Sequence, residues 1–146
     1  MVSGMLTSVF YNLDKIRNEL PMVAVKVLRQ NDNIIIDLNT QMLSDGVDAV
    51  GAYLGDYSPT TVQIKKAKGQ RYDHITLEDT GDFKDAFFVE IENGKWHIDS
   101  KDYKSGMLMD QYGADIFGNN PTDEDEILTA YLEPELYAYI LLNLEL

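Results

Sequence analysis

The chain has no cysteine and few basic residues, and both shortages exclude whole classes of protein. Without cysteine it cannot form disulfides, thiolate nucleophiles, or cysteine-ligated zinc and iron–sulfur centres. Its 12 lysines and arginines are outnumbered by 25 aspartates and glutamates, which gives a formal net charge of −13. A surface this acidic repels phosphate backbones. We therefore expect no sequence-specific binding of nucleic acid.

Long apolar runs are missing as well. The longest apolar-rich stretch, residues 136–142, is far shorter than the ~20 residues that a membrane-spanning helix needs. The N-terminus lacks the basic region and long apolar run of a secretory signal. We therefore expect a soluble protein with no membrane partner. The length of 146 residues and the hydrophobic fraction of 45% favour one globular domain over residues 1–146.

Helical spacing of apolar residues dominates the first third of the chain. It predicts a short helix over residues 8–20 and a second helix that Pro21 begins, because proline fits the first turn of a helix. The second helix continues over residues 22–43 with an interruption at residues 31–33. Three consecutive isoleucines follow that interruption, and such β-branched runs favour strands. Loops and turns are expected over residues 45–59.

The clearest element is a β-hairpin at about residues 86–100. Apolar and polar residues alternate on both sides of Asn93-Gly94, and this pair supplies the two positive-φ residues of a tight turn. A two-residue turn at that place makes one face of the hairpin apolar and pairs opposite charges on the other. It predicts the cross-strand pairs Glu92–Lys95, Ile91–Trp96, Glu90–His97 and Val89–Ile98.

The C-terminal part predicts a long loop and a final helix. Residues 101–121 read as a loop around a short helical piece near residues 107–112. Thr122 is predicted to cap a helix over residues 122–145, with a break or kink at Pro134. That helix is apolar on more than one face, so both core burial and use as an inter-subunit arm stay open. The predicted fold class is α+β, with N-terminal helices packed on a small antiparallel sheet.

Basic residues are concentrated in one short segment. Ser58 is predicted to cap a helix over residues 60–68, with Pro59 at its first position. Near the end of that helix lie Lys65, Lys66, Lys68 and Arg71, whereas no residue after Lys104 is basic. We name Lys65, Lys66, Lys68 and Arg71 the basic cluster. A solvated face is the simplest explanation of such a run.

Asp79-Thr80-Gly81 is the triplet that dimeric aspartic proteases carry once per chain. In those enzymes two such carboxylates share a proton. The flanking residues are unlike those proteases, because Glu78 stands where they have an apolar residue and Asp82 where they have a small one. We therefore favour a turn in which Asp79 accepts backbone N–H bonds and Gly81 adopts a positive φ before a strand.

No other motif predicts catalysis, a cofactor or a metal. The acidic run Asp123, Glu124, Asp125 and Glu126 lies at consecutive helix positions, which point in different directions, so it suits a solvated helix start better than a calcium site. His97 falls on the predicted solvent face of the hairpin. We expect no catalytic residue, no cofactor-binding residue and no metal ligand, and hence no enzymatic activity.

Three short motifs resemble those of a known family. The first is Tyr57-Ser58-Pro59-x-Thr61 followed by Lys65, and the second is Leu77-x-Asp79-Thr80-Gly81. The third motif is Tyr112-Gly113-x-Asp115-Ile116-Phe117-Gly118. The first two resemble the virion morphogenesis proteins of tailed phages, which are small head-to-tail connector, neck or tail-completion proteins. The third is similar to versions from phages of gut Bacteroides, including portal-proximal ring proteins of the crAss-like group. Phe83 stands where the family usually has Leu, and Ala86 where Ser is common.

The resemblance implies a structural role in the neck or tail of a virion, after synthesis in the cytoplasm of a bacterial host. It implies a long N-terminal helix on a small antiparallel sheet, and a closed homo-oligomeric ring of six or twelve subunits, of which we prefer twelve. The portal or an adaptor protein and tail or ring proteins would be its partners. An acidic channel would let DNA pass without gripping phosphates.

Each interface of such a ring joins two different surfaces of the same chain. The basic cluster and the acidic run, Asp123, Glu124, Asp125 and Glu126, supply two surfaces of opposite charge. We therefore expect these two groups to meet between subunits. Two alternatives stay open: an acidic protein that imitates DNA or inhibits a basic partner, and, with less support, the dimeric aspartic protease.

Overall fold

The computed structural model describes residues 2–144 and divides the chain into two compact units. The helical unit consists of residues 1–31 and 125–146, and the sheet unit of residues 32–124. The fold class is α+β, as the sequence predicts, because seven α-helices accompany a two-stranded antiparallel sheet in the described residues. The single domain over residues 1–146 stays a prediction. The last two residues of the chain, including the end of the predicted helix 122–145, lie outside the described residues.

The helical unit begins with α1, a helix of 29 residues from Val2 to Gln30. The prediction that Pro21 begins a second helix is wrong, because Pro21 lies inside α1. Proline removes one N–H bond to the carbonyl four residues earlier, which here belongs to Arg17. Both residues are exposed, so water can solvate the carbonyl that loses its partner. The break falls at Asn31 instead, within the predicted interruption.

The C-terminal segment of the chain, from residue 125 onward, forms the second part of the helical unit. Helix α6 spans Pro121–Glu126, a π-helical stretch spans Ile127–Leu132, and α7 spans Glu133–Leu144. The helix continues across Pro134 without a break, because the turn before this proline widens to π-helical geometry and shifts the hydrogen-bond ladder, while the alternative of a kink stays a prediction. The predicted cap is also corrected: Asn120 Oδ1, and not Thr122, accepts from the backbone N–H of Asp123 at 2.8 Å.

Helices α1 and α7 run antiparallel. Asn12 Nδ2 donates to the carbonyl of Leu144 at 2.9 Å, and the Tyr139 hydroxyl donates to the Glu19 carboxylate seven residues further along α1. Residues that increase in number along one helix therefore meet decreasing numbers along the other. The hydrogen bond to Glu19 raises the pKa of the Tyr139 hydroxyl.

The sheet unit begins with α2, which spans Asp32–Ser44 and includes the three isoleucines. A loop with one isolated bridge, Val47 to Tyr53, leads to α3 at Pro59–Ala67. After a further loop come α4 at Asp82–Asp85, strand β1 at Phe87–Glu92 and strand β2 at Lys95–Ser100. Helix α5 spans Ser105–Tyr112, and a 3₁₀ turn spans Ala114–Ile116.

The hairpin is confirmed in full. Strands β1 and β2 pair with the predicted register, and Asn93 and Gly94 have φ values of 51° and 74°. Side chains alternate across the strands, so Phe87 and Ile98 are buried while Glu90 and His97 are exposed. Helix α2 packs against β1.

Three phenylalanines form the centre of the sheet unit. The rings of Phe83 and Phe87 meet edge to face with centroids 5.0 Å apart, and Phe117 lies 5.8 Å and 5.5 Å from them. Aromatic pairs favour this arrangement because the ring edge is positive and the ring face negative. Ile35 and Leu43 of α2 are fully buried as well. The core therefore joins α2, α4, β1 and the segment after α5.

Two asparagines, Asn39 and Asn119, form hydrogen bonds between α2 and the segment after α5. Asn39 is fully buried, donates to the carbonyl of Ile116 at 3.0 Å and accepts from the N–H of Gly118 at 3.3 Å. Asn119 donates to the carbonyl of Ile35 at 3.0 Å and accepts from the Trp96 indole at 3.1 Å. Buried polar groups need such partners, so each asparagine fixes the position of the chain that it contacts.

Candidate functional site

The site is the region built by the motif residues of α3 and of the loop around Asp79. At the start of α3, Ser58 Oγ accepts from the Thr61 backbone N–H at 3.2 Å, and Pro59 occupies the first helical position. This is the predicted cap. The Tyr57 hydroxyl accepts from the Thr76 N–H at 3.1 Å, which ties the start of α3 to the segment before Asp79.

Lys65 joins the two halves of the motif. It is only 7% exposed, and its ammonium donates to the carbonyl of Glu78 at 2.6 Å. The same ammonium lies 4.7 Å from the centroid of the Tyr57 ring. A buried ammonium needs partners of this kind, since an unpaired charge away from water is strongly destabilising. Lys65 is therefore occupied inside its own chain, and the prediction that it contacts a neighbouring subunit does not fit this position.

The loop at Asp79, Thr80 and Gly81 is held by side chains of the neighbouring segment. The Asp79 carboxylate accepts from Lys68 Nζ at 3.1 Å, and the Gln70 amide donates to the Asp79 carbonyl. The predicted backbone N–H donors to Asp79 are replaced by a side chain, because the hydrogen bond to its carboxylate comes from the Lys68 ammonium. Gly81 does adopt the predicted positive φ, at 90°, but the chain then enters the short helix α4 before it reaches the strand.

The lysine changes the chemistry available to Asp79. Its hydrogen bond and positive charge lower the pKa of the Asp79 carboxyl, so this group stays ionised at neutral pH. The paired carboxylates of an aspartic protease need the opposite, a raised pKa that lets two carboxylates share one proton. The carboxylate is also exposed, with 59% of the side chain accessible. This environment favours a structural ion pair over a proton-transfer group.

A cleft of about 340 Å³ opens beside the motif. Its polar edge includes Lys68, Asp79 and Lys104. Burial raises the pKa of the Tyr112 hydroxyl, which belongs to the third motif. The cleft thus brings residues of all three motifs, or their direct neighbours, around one depression. Its apolar walls come from α3, α4, α5 and the segment between α3 and α4: Ile64, Ile75, Leu77, Phe83, Leu108 and Tyr112.

The rest of the basic cluster is exposed and has partners inside the chain. Lys66 lies 4.8 Å from the centroid of the Tyr72 ring. Arg71 forms an ion pair with Asp73 at 2.8 Å, which raises the pKa of Arg71 and lowers the pKa of Asp73. These charges could exchange partners in an assembly, because both side chains of the pair remain more than half exposed.

The acidic run forms the last four residues of α6. Asp123 and Glu124 belong to the sheet unit, and Asp125 and Glu126 to the helical unit. Within the described part of the sheet unit, no ion pair joins Asp123 or Glu124 to the basic cluster. Contact between the acidic run and the basic cluster of a neighbouring subunit therefore stays a prediction, and it rests on Lys66, Lys68 and Arg71.

Sequence reasoning missed two groups of residues. Lys84 is almost buried, donates to Ser44 Oγ at 2.8 Å and lies 3.5 Å from the Glu78 carboxylate, and burial lowers the pKa of its ammonium. It anchors α4 to the end of α2. The two buried asparagines were missed as well, although Asn39 follows Ile35 by four residues on the apolar stripe of α2. A polar residue at such a stripe position is the signal that could have found it.

In the part of the chain that the structure describes, no group of three or more histidine, cysteine, aspartate or glutamate side chains is placed to hold a metal ion. None of the helices between residues 2 and 144 is long and apolar enough to cross a bilayer. The chain matches no protein-family model, no curated protein and no solved structure.

Proposed function

We propose that this protein is a structural component of a tailed-phage virion, which forms a homo-oligomeric ring in the neck between the portal and the tail. The observation that carries the proposal is the bond between Lys65 and the Glu78 carbonyl. This bond explains why the motif combines a lysine four residues after Thr61 with an Asp-Thr-Gly segment. The lysine lies in α3 and binds the residue that immediately precedes that segment. The motif residues that resemble the phage family thus act as structural connections.

The charge of the molecule supports the same role. A net charge of −13 suits a ring through which DNA must slide, since an acidic channel does not hold phosphates. Twelve subunits remain the preferred number, and the portal or an adaptor protein and tail or ring proteins are the proposed neighbours. In this proposal the protein is made in the bacterial cytoplasm and functions in the virion without catalysis and without a cofactor.

Deletion of the gene from its phage tests the role in assembly. The expected result is DNA-filled heads without tails in electron micrographs, and normal virions would contradict the proposal. Complementation with the wild-type gene is the positive control. Complementation with Asp79→Asn should also restore tailed virions, because the proposal gives this exposed carboxylate no chemical step. A folded Asp79→Asn protein that blocks maturation would instead favour the protease.

The acidic DNA mimic is the second candidate, and the exposed carboxylates of Glu124, Asp125 and Glu126 are the observation that favours it. A mimic acts by occupying a basic surface of another protein. Light scattering on the purified chain distinguishes the two: a large oligomer of defined mass supports the ring. A monomer that inhibits a nuclease or another DNA-binding protein would support the mimic.

A further inference from the structure

The helical unit leaves a stripe of large apolar side chains exposed on each of its two main helices. On α1, Leu6, Phe10 and Leu13 are 50%, 64% and 45% exposed, and their spacing of four and three residues places them on one face. On α7, Tyr137 and Leu141 are 65% and 71% exposed and lie one turn apart. We call these five residues the apolar face.

Both stripes lie on the same side of the helix pair. The buried Ile16 and Val27 mark the inner side of α1, and the half-buried Leu136, Tyr139 and Ile140 mark the inner side of α7. At 3.6 residues per turn, the centre of the α1 stripe lies about a quarter turn from that inner side. The centre of the α7 stripe lies about a third of a turn from its own inner side, in the same sense along its chain direction. Because the helices are antiparallel, both rotations lead to one side.

The chain itself provides little cover for these residues. No residue of α7 between Glu133 and Leu144 is buried, and the buried apolar residues of α1 are Ile16, Val27 and Leu28. A pair of helices shares one seam, so apolar residues that point away from it need a further surface. Contiguous exposed stripes, unlike scattered single residues, mark sites of association.

The size of the apolar face fits a protein partner. An aromatic side chain has about 150–250 Å² to bury, so five large side chains at these exposures present roughly 500 Å². A standard interface buries about 800 Å² on each partner, of which a little over half is apolar. The apolar face could therefore form the centre of such an interface, with charged residues at its rim.

The distribution of charge selects the partner. Helix α1 carries Lys15, Arg17, Lys26 and Arg29 against Asp14 and Glu19, a net charge of +2, whereas residues 125–144 carry four acids and no base, a net charge of −4. A second copy can place its acidic C-terminal helix on the basic α1, and the reverse contact forms at the same time. An anionic lipid surface would instead be repelled by the net charge of the chain.

We infer that the apolar face binds a second copy of this chain, with α1 of each copy packed on α7 of the other. A reciprocal contact of this kind closes at two copies, so it forms a dimer and goes beyond the proposed function, because a ring built from such dimers needs a second, different surface. The basic cluster and the acidic run remain the surfaces predicted for that second contact.

Neighbouring residues supply matched controls. Phe10→Asp and Leu141→Asp place a charge on the apolar face, whereas Tyr11→Asp and Leu142→Asp place one on residues that are as exposed, at 70% and 76%, but point to the other side. Sedimentation equilibrium should show at least a tenfold weaker self-association for the first pair and less than a threefold change for the second. Circular dichroism checks that each variant keeps its helices. Equal effects in both pairs, or a monomeric wild type, would overturn the inference.

The absence of cysteine allows a cleaner test of the pairing. Leu13→Cys and Leu141→Cys proteins are oxidised separately and as a mixture. The mixture should yield a disulfide-linked species at several times the level of either variant alone, because α1 of one copy faces α7 of the other. Stronger cross-linking of Leu13→Cys to itself would contradict this arrangement.

The two proposals can fail separately. A wild type that self-associates equally well after Phe10→Asp overturns the apolar face and leaves the ring possible. Self-association through the apolar face in a protein whose deletion leaves virions normal overturns the neck function and leaves the interface in place.

Discussion

Replacement of the buried Lys65 by methionine should destabilise the sheet unit. Methionine keeps most of the apolar stem but removes the ammonium that donates to the Glu78 carbonyl at 2.6 Å. Loss of a hydrogen bond from a charged donor costs about 1.5–3 kcal/mol, and loss of the contact with the Tyr57 ring adds ~0.5–1 kcal/mol. Methionine also avoids the desolvation of a charge, which offsets part of this loss. We expect the free energy of unfolding to fall by about 2 kcal/mol.

Lys66→Met is the matched control. Lys66 is the next residue along the same helix, it carries the same charge, and its side chain is exposed over Tyr72. Exposed substitutions of this kind usually change the free energy of unfolding by less than about 0.5 kcal/mol. The comparison therefore isolates the hydrogen bond of the buried Lys65 from the general effect of removing one positive charge from an acidic protein.

Urea denaturation followed by tryptophan fluorescence provides the measurement. Trp96 is the single tryptophan of the chain and lies in the sheet unit with Lys65, so its signal reports on the unit that carries the substitution. With a slope of about 2 kcal/mol per molar urea, the expected loss lowers the midpoint by about 1 M for Lys65→Met. Equal midpoints for both variants would refute the reasoning. Unchanged stability with lost assembly would mean that Lys65 faces a neighbouring subunit after all.

Three further predictions concern the same unit. Gly46→Ala should cost ~3 kcal/mol or more, because the new Cβ would lie 2.6 Å from a histidine ring at a φ of 84°, whereas Gly94→Ala, which also has a positive φ but open space, should cost only ~1 kcal/mol in the same urea assay. Asn39→Leu should lower the free energy of unfolding by about 2–3 kcal/mol, since it leaves a buried carbonyl and a buried N–H unpaired, and a loss below ~0.5 kcal/mol would contradict this. Because Lys68 lowers the pKa of the Asp79 carboxyl, their ion pair stabilises the fold above about pH 4 and is lost as pH falls through the lowered pKa, so Asp79→Asn should be less stable than the wild type at pH 7 and equally stable at pH 2.

Secondary-structure elements that depend only on residues close together in sequence could be predicted from local patterns. The hairpin followed from Asn93-Gly94 and alternation, because a two-residue turn fixes the register of both strands. The start of α3 followed from Ser58 and Pro59, since a cap needs only the next few backbone groups. The α+β class and the end of α2 just before the predicted loop over residues 45–59 could be predicted for the same reason.

Longer-range effects account for the corrections. Pro21 looked like a helix start, but an exposed proline can lie inside a long helix when water solvates the freed carbonyl. Pro134 looked like a break, but the chain accommodates it through a π-helical stretch. The isoleucine run of α2 is helical because burial outweighs the weak preference of β-branched residues for strands.

The sequence by itself determined the charge, the absence of cysteine chemistry, the hairpin and the motif residues that suggest a phage connector. Only the tertiary structure decided what the motif residues contact. Lys65 and Lys68 are close to each other in sequence, yet one is buried against the Glu78 carbonyl and the other binds an exposed carboxylate. Burial depends on segments that are distant along the chain and meet only after folding, so residue type and spacing could not separate a lysine that holds the fold from one that is free for a neighbour.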